Sequence, residues 1–254
     1  MNTPRISVCM IAQNEAARIE RALRSVAWAD EIVVIDGGST DDTVARAEAC
    51  GARVEVHPWP GNFAVQIQRS LDATGGDWVF RIDADEAVTP ELAEQLQAAV
   101  RDADPADAYR VRRKNYFLGR WIRHGGWWPD PQLRLVRRDI AAVRGAPGHE
   151  TLHAEGRIRD LDGALEHDTH PSVAAALARV ERYSNHLAPD RAKRRRITPW
   201  RLFAHPAAAF LRKYLVQSGW RDGTHGFLIA GIHAMVKFSV YAKAWEIQRN
   251  GDTT

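Results

Sequence analysis

Acidic side chains crowd one short stretch of the chain, RIDADEAV (81–88). There Asp83, Asp85 and Glu86 close the apolar run Trp78-Val79-Phe80. On a strand, successive side chains alternate, so the expectation is that Asp83 and Asp85 face the same way. Two carboxylates held that near repel each other, and one pKa rises unless a positive charge lies between them. Mg²⁺ or Mn²⁺ takes oxygen ligands and binds through one or two carboxylates plus substrate phosphates. The pair therefore points to a metal-held nucleotide diphosphate. The competing reading is a solvated loop or helix cap, because a D-x-D triplet arises often by chance.

The elements around this stretch decide where it sits. ISVCMIA (6–12), EIVVID (31–36), ARVEVHP (52–58) and DWVFRID (77–83) read as strands. Helices are expected between them at 15–27, after Ser39 in a capping-box-like start, and at 62–76. This β-α-β order predicts an α/β fold with a parallel sheet and helices on both faces. Ligands bind at the carboxyl ends of such strands. Asn14-Glu15, Asp36 and Asp83/Asp85 all lie just past strand ends. An amphipathic helix follows at 89–100, then short β-like pieces over 108–167, and the chain reads as helical from Pro171. The domain reading is a catalytic domain over 1–170 and a basic helical region over 171–254. Within the first, 1–100 would bind the nucleotide and 101–170 would face the acceptor.

Composition narrows the function classes. The chain has 254 residues, 45% of them hydrophobic, enough for a sizeable core. Cys9 and Cys50 form no CxxC, so neither a disulfide framework nor a zinc cluster is expected, and a reducing compartment fits. The start, MNTPRISVCMIAQNE, lacks the pattern of a signal peptide. The longest apolar run, Phe227 to Val236, is interrupted by Gly231 and His233, so no spanning helix is expected. Residues 171–254 carry 14 Lys+Arg against 5 Asp+Glu, whereas 1–170 carry 21 against 27. A basic half suits nucleic acid, anionic lipid or a phosphorylated substrate, or is simply a solvated helix face. No nucleic-acid module surrounds these residues, so no nucleic-acid partner is expected. A P-loop and a GxGxxG turn are both missing, which argues against a P-loop NTPase and a dinucleotide-binding domain.

The stretch SVCMIAQNEAARIERALRSVAWADEIVVIDGGSTDDTVARAEACGARV, with GDWVFRIDADE, closely resembles the nucleotide-sugar half of family 2 glycosyltransferases, which have the GT-A fold. WWPDPQLRLVRR, GHETLH, LEHDTH and the RYSNHLA helix resemble one branch of that family, similar to lipopolysaccharide core glucosyltransferases acting on inner-core heptose. The resemblance implies Asn14 and Glu15 beside the nucleotide and Asp36 reading uracil, with Ser39 and Asp41 nearby. It places Asp83 near ribose and sugar and Asp85 on the metal, Mg²⁺ or Mn²⁺. Where the family often has a basic residue followed by Asn, this chain has Ile67 and Gln68; Arg69 is the candidate to replace that contact.

The reaction implied is inverting transfer of a hexose from a UDP-sugar, in which a carboxylate takes the acceptor's proton. Glu150, between His149 and His153, is the first candidate base. Asp130, after the pair Trp127-Trp128, is the alternative or an acceptor contact. His167 is a candidate third metal ligand, and a lone His is also commonly structural. Gln132 and Arg134 alternate on one face and are candidates for the diphosphate or acceptor; for Arg134 the other reading is an ordinary ion pair. The implied acceptor is the lipopolysaccharide core or another glycolipid. The implied location is cytoplasmic and peripheral to the inner membrane. Trp200, Phe203, Phe210, Leu211 and Tyr214 beside Arg201, Arg212 and Lys213 read either as an interfacial helix or as ordinary packing.

Overall fold

The computed structural model describes residues 3–145, 150–194 and 196–251. Its first half is built on parallel strands β1 (Ile6–Ala12), β2 (Glu31–Asp36), β3 (Arg53–Val56) and β4 (Trp78–Arg81), with β1 between β2 and β4 and β3 outside β2. Three helices connect them: α1 (Ile19–Arg24), α2 (Thr43–Ala49) and α3 (Phe63–Asp72). The chain continues through β5 (Glu86–Val88), α4 (Pro90–Arg101), β6 (Ala108–Phe117), β7 (Arg120–Trp121) and β8 (Gln132–Arg137). Then come β9 (Ala142–Arg144), β10 (Thr151–His153), β11 (Ile158–His170), α5 (Val173–Arg194), α6 (Pro199–Leu211) and α7 (Gly223–Gly251). The main sheet runs β3-β2-β1-β4-β8-β6-β11-β5, with β7 on β6, and β9/β10 form a separate antiparallel pair.

The strand alternation explains the two cores. Val8 and Met10 of β1 join Phe80, Ile19, Leu23, Leu92 and Leu96 on one face of the sheet. Cys9 points the other way, onto Val79, Val136, Ile67 and Leu71. A strand covered on both faces must be apolar throughout, as ISVCMIA is. Burial pushes the Cys9 thiol up to about 11, so it behaves as a small apolar core residue. Helix α4 starts where Thr89 Oγ1 accepts the Leu92 N–H (3.3 Å) and Pro90 occupies the first turn. Gly163 of β11 lies against this helix: a Cβ there would sit 2.7 Å from Leu92 Cα. Gly163→Ala is expected to lower stability by about 1–3 kcal/mol by forcing α4 off the sheet, read as a shifted urea midpoint.

Several expectations change. DADE is a turn between β4 and β5, closed by the Glu86 N–H on the Asp83 carbonyl (3.0 Å), so strand alternation does not align Asp83 with Asp85. Helix α1 begins only at Ile19. Asn14 adopts a left-handed φ of 56°, and the Glu15 carbonyl accepts from Arg18 and Ile19, which uses residues 15–18 as a turn. Ser39 does not cap α2; Asp42 occupies the cap position and Ser39 serves the preceding loop. The separate β-like pieces expected near 156–167 form one strand, β11. Helix α5 continues through Pro189.

The described chain divides into two compact units. One comprises Met1–Arg113 and Pro131–His167, the other Lys114–Asp130 and Asp168 onward. The second unit therefore recruits a segment from within the first 170 residues. In it, Phe117, Ile122, Ala176 and Ile229 form one cluster, and Ala188, Ile197, Tyr241 and Ala244 another. Lys243 fastens α7 to α5 by donating to Glu181 (2.8 Å), Ser184 (2.9 Å) and Asn185 (2.6 Å). Contrary to the reading of apolar runs, the helical stretch Gly219–Asn250 is long and apolar enough to cross a membrane by length and composition.

Candidate functional site

The loops at the carboxyl ends of β1 and β2 are latched to each other. Asp36 is buried, and its Oδ2 accepts the N–H groups of Gly38 and Ser39 (both 2.8 Å) while Oδ1 accepts the Ser39 hydroxyl (2.5 Å). Gly38 has φ +90°, which an L side chain rarely adopts, so glycine permits this turn. Ser39 Oγ in turn accepts the Asn14 N–H (2.8 Å), and Asn14 Oδ1 accepts the Thr40 N–H (2.8 Å). Asp41 accepts from Ala16 N (3.2 Å) and Thr43, and the Thr43 hydroxyl accepts from Glu15 N (2.8 Å). The Thr43 hydroxyl, ahead of the backbone donors, holds the Asp41 carboxyl below the usual range. Asn14, Glu15, Asp36, Ser39 and Asp41 are thus brought into one loop cluster, where Asp36 organises its own turn.

The acids of the β4–β5 turn have separate partners. Asp83 Oδ1 accepts from Arg81 (2.6 Å) and Oδ2 from Arg134 Nη2 (2.8 Å). The same Arg134 nitrogen donates to Glu86 Oε1 (2.5 Å), and Arg113 reaches that oxygen at 3.4 Å. Arg134 and Glu86 are almost completely buried, with side chains 3% and 0% exposed. Burial disfavours the charged Asp83, but Arg81 and Arg134 more than offset it and hold its pKa far below the carboxylate range. Burial likewise disfavours the Arg134 cation, and Glu86 with Asp83 reverses that, raising its pKa. Arg134 Nε and Nη1 are buried with no hydrogen-bond partner among the described residues.

Asp85 instead faces His167 Nε2 at 3.4 Å and Arg18 Nη1 at 3.8 Å. The antiparallel register of β11 on β5 sets His167 opposite Glu86 and so beside the turn. Burial raises the Asp85 pKa, and contact with His167 outweighs it, leaving the group below its ordinary value. Burial raises the Glu15 pKa despite Arg18, which donates to it at 2.5 Å. The repulsion anticipated between Asp83 and Asp85 is therefore relieved by arginines on one acid and a histidine on the other. Among the described residues no three His, Cys, Asp or Glu side chains gather as a metal group. Asp85 with His167 nonetheless suits an ion that keeps open positions for phosphate oxygens.

The depressed Asp83 and Asp85 pKa values make stability acid-sensitive. Their contribution is complete above the unfolded carboxylate value of about 3.9 and is lost as pH falls below it toward the lower folded values. Urea midpoints of the wild type are expected to drop as pH falls from about 4 toward about 2, and to drop less in Asp83→Asn.

The other expected residues are placed as follows. Arg69, half-buried on α3, donates to Gln66 (3.0 Å), and Gln66 donates to the His57 carbonyl (2.9 Å). Ile67 is a core residue. Gln132 starts β8 opposite Val111 and is half-buried. Glu150 is half-buried just before β10; His149 lies outside the described residues. Asp130 belongs to the second unit. It follows the cis peptide Trp128–Pro129, has φ 45°, and accepts from Asn115 Nδ2 (2.9 Å). Trp121 packs edge-on against Trp128 (5.2 Å), with Arg123 4.3 Å over the Trp121 ring.

Arg81, Arg113 and Arg18 were not expected from the sequence, and Glu86 was named among the acids of RIDADEAV but given no role. Arg81 and Glu86 flank the D-x-D and carried a local signal of charge, whereas Arg113 arrives only through strand pairing. Trp59 and Phe63 are a further pair, 4.5 Å apart, tied to the β2 loop by the Trp59 N–H on the Gly37 carbonyl (3.0 Å).

Known proteins agree with this architecture. A Rhizobium meliloti protein named lipopolysaccharide core biosynthesis glycosyltransferase LpsC is 28% identical over 95% of this chain and 92% of its own. Glucosyl-3-phosphoglycerate synthase of Mycobacterium tuberculosis is 45% identical over 93 residues, 32% of this chain and 28% of its own. A mycobacterial protein of known crystal structure superposes with a TM-score of 0.50 at 22% identity, covering 73% of this chain and 74% of that one, a likeness of fold. The mixed sheet with flanking helices is GT-A-like. The profile described as Glycosyl transferase family 2 matches residues 7–154, more than half of the sequence. The chain is a glycosyltransferase and belongs to family 2.

Proposed function

We propose that this glycosyltransferase is inverting and metal-dependent, and that it moves a hexose, glucose from UDP-glucose, onto the lipopolysaccharide inner core at the cytoplasmic face of the inner membrane. The observation that carries the reading is the unequal setting of the two aspartates: Asp83 is held by Arg81 and Arg134, while Asp85 is paired with His167. One acid is fixed as part of a cationic cluster and the other is placed to meet a cation. The LpsC relative supports the acceptor, and the name of the synthase relative supports glucose.

In this reading Asp85 and His167 hold Mg²⁺ or Mn²⁺, with Asp83 beside them. The ion, when bound, neutralises the departing diphosphate. Asn14, Glu15, Asp36, Ser39, Asp41 and Arg69 form the nucleotide side, and Gln132 and Arg134 the diphosphate side. The acceptor hydroxyl oxygen bonds to the anomeric carbon as the bond to the diphosphate breaks, which inverts that carbon. Glu150 takes the hydroxyl proton, and Asp130 orients the acceptor. Glu150→Gln is expected to lower kcat by about a hundredfold or more with UDP-sugar affinity unchanged, measured by transfer to lipopolysaccharide inner core and by calorimetric titration. Equal loss in Asp130→Asn with full activity in Glu150→Gln would reassign the base.

A further inference from the structure

Helix α6 carries its apolar side outward. Trp200 (75% exposed), Phe203 (69%), Leu211 (50%) and Leu215 (53%) fall at i, i+3, i+11 and i+15, with exposed Ala207 between them, so they form one stripe. No residue of α6 is buried. Val216 and Trp220, in the turns that follow, extend the apolar surface. The opposite side of α6 already has its packing partner, because His205 stacks on Tyr241 of α7 (4.5 Å) and Leu202 packs against the cluster of Ala188, Ile197, Tyr241 and Ala244. A core-packing role therefore does not account for the outward stripe.

Charge identifies what covers it. From Arg191 to Arg221 the sequence has nine Lys or Arg and no Asp or Glu. Arg194, Arg196, Arg212 and Arg221 are exposed around the stripe. Tryptophan, phenylalanine and leucine ringed by arginine match the boundary between anionic headgroups and acyl chains. A second copy of this chain would bring the same positive charge to the contact and be repelled. Spanning does not fit either, although Gly219–Asn250 is long enough. Helix α7 is fastened to α5 through Lys243, and α5 carries Arg179, Glu181, Arg182, Asp190, Arg191 and Arg194, which hydrocarbon would not accept.

We propose that α6 and the following turns (199–222) form an interfacial wedge that lies in the plane of an anionic bilayer, with Trp200, Phe203, Leu211 and Leu215 in the acyl boundary. This deepens the peripheral placement above. The test is sedimentation of the full chain with vesicles of phosphatidylcholine alone and with added phosphatidylglycerol. We expect binding only to the anionic vesicles, and an affinity loss of about tenfold or more in Trp200→Glu/Phe203→Glu with its thermal melt unchanged. Independently of any variant's folding, bromine-labelled acyl chains should quench the tryptophan fluorescence of the wild type. Three results would overturn the wedge: no binding to anionic vesicles at low salt, binding indifferent to the double substitution without acyl-chain quenching, or a dimer that the substitution dissociates. UDP-glucose binding in solution without vesicles reads the glycosyltransferase proposal separately, so either can fail alone.

Discussion

Asp85→Ala is expected to lower the proposed hexosyl transfer by about a hundredfold or more and to abolish the Mn²⁺ dependence proposed for UDP-sugar binding, with the protein still folded. The reason is that Asp85 keeps no arginine within hydrogen-bonding distance among the described contacts; its near partner is His167, at 3.4 Å. Removing it strands no buried cation, so the loss belongs to the ion and the diphosphate. His167→Ala should weaken the Mn²⁺ requirement by a smaller factor, about tenfold, because an imidazole contributes one ligand and no charge. Transfer assays over a Mn²⁺ titration separate the two: a ligand variant shifts the half-saturating metal concentration, whereas a fold defect lowers the plateau alone. If Asp85→Ala retains wild-type Mn²⁺ dependence, the metal site lies elsewhere.

Arg134→Met is expected to give the opposite signature, a large loss of stability. The substitution removes the cation that Asp83 and Glu86 share and leaves the fully buried Glu86 carboxylate with Arg113 at 3.4 Å and the Asp83 N–H at 3.0 Å as its described partners, the arginine too far for a strong ion pair. Breaking one side of a buried ion pair typically costs about 3–5 kcal/mol. For a chain of this size that is on the order of 10 °C in melting temperature. Arg134→Met/Glu86→Gln should recover part of the loss, since it neutralises the stranded acid; the double-mutant cycle read by urea unfolding measures the coupling. Additive losses in that cycle would mean that the two side chains do not interact in solution.

Local pattern carried β1 and β2, because strands buried on both faces must be continuously apolar, and it carried α4, because residues 89–100 have the apolar spacing of an amphipathic helix. The role of DADE could not be read as easily. Arg134 lies 51 residues beyond Asp83 and reaches it only because β8 pairs with β4, a contact no local pattern encodes. The acids were legible as chemistry, but their separate partners were not. Ser39 illustrates the same limit: its spacing to Asp42 suggests a cap, but the buried Asp36 carboxylate three residues earlier competes for its hydroxyl. In α6 the apolar stripe is present in the sequence, and the packing of His205 and Leu202 on the opposite side shows that the stripe faces outward.

The proposed activity requires RIDADEAV to hold a metal and a nucleotide diphosphate. Calorimetric titration of the full chain with UDP-glucose, UDP-galactose, UDP-N-acetylglucosamine and GDP-mannose, each with Mn²⁺ and with EDTA, tests it most directly. Binding of UDP-glucose is expected to require Mn²⁺ and to disappear in EDTA. Tight binding that EDTA leaves intact, or no binding of any sugar nucleotide by the folded protein, would contradict it.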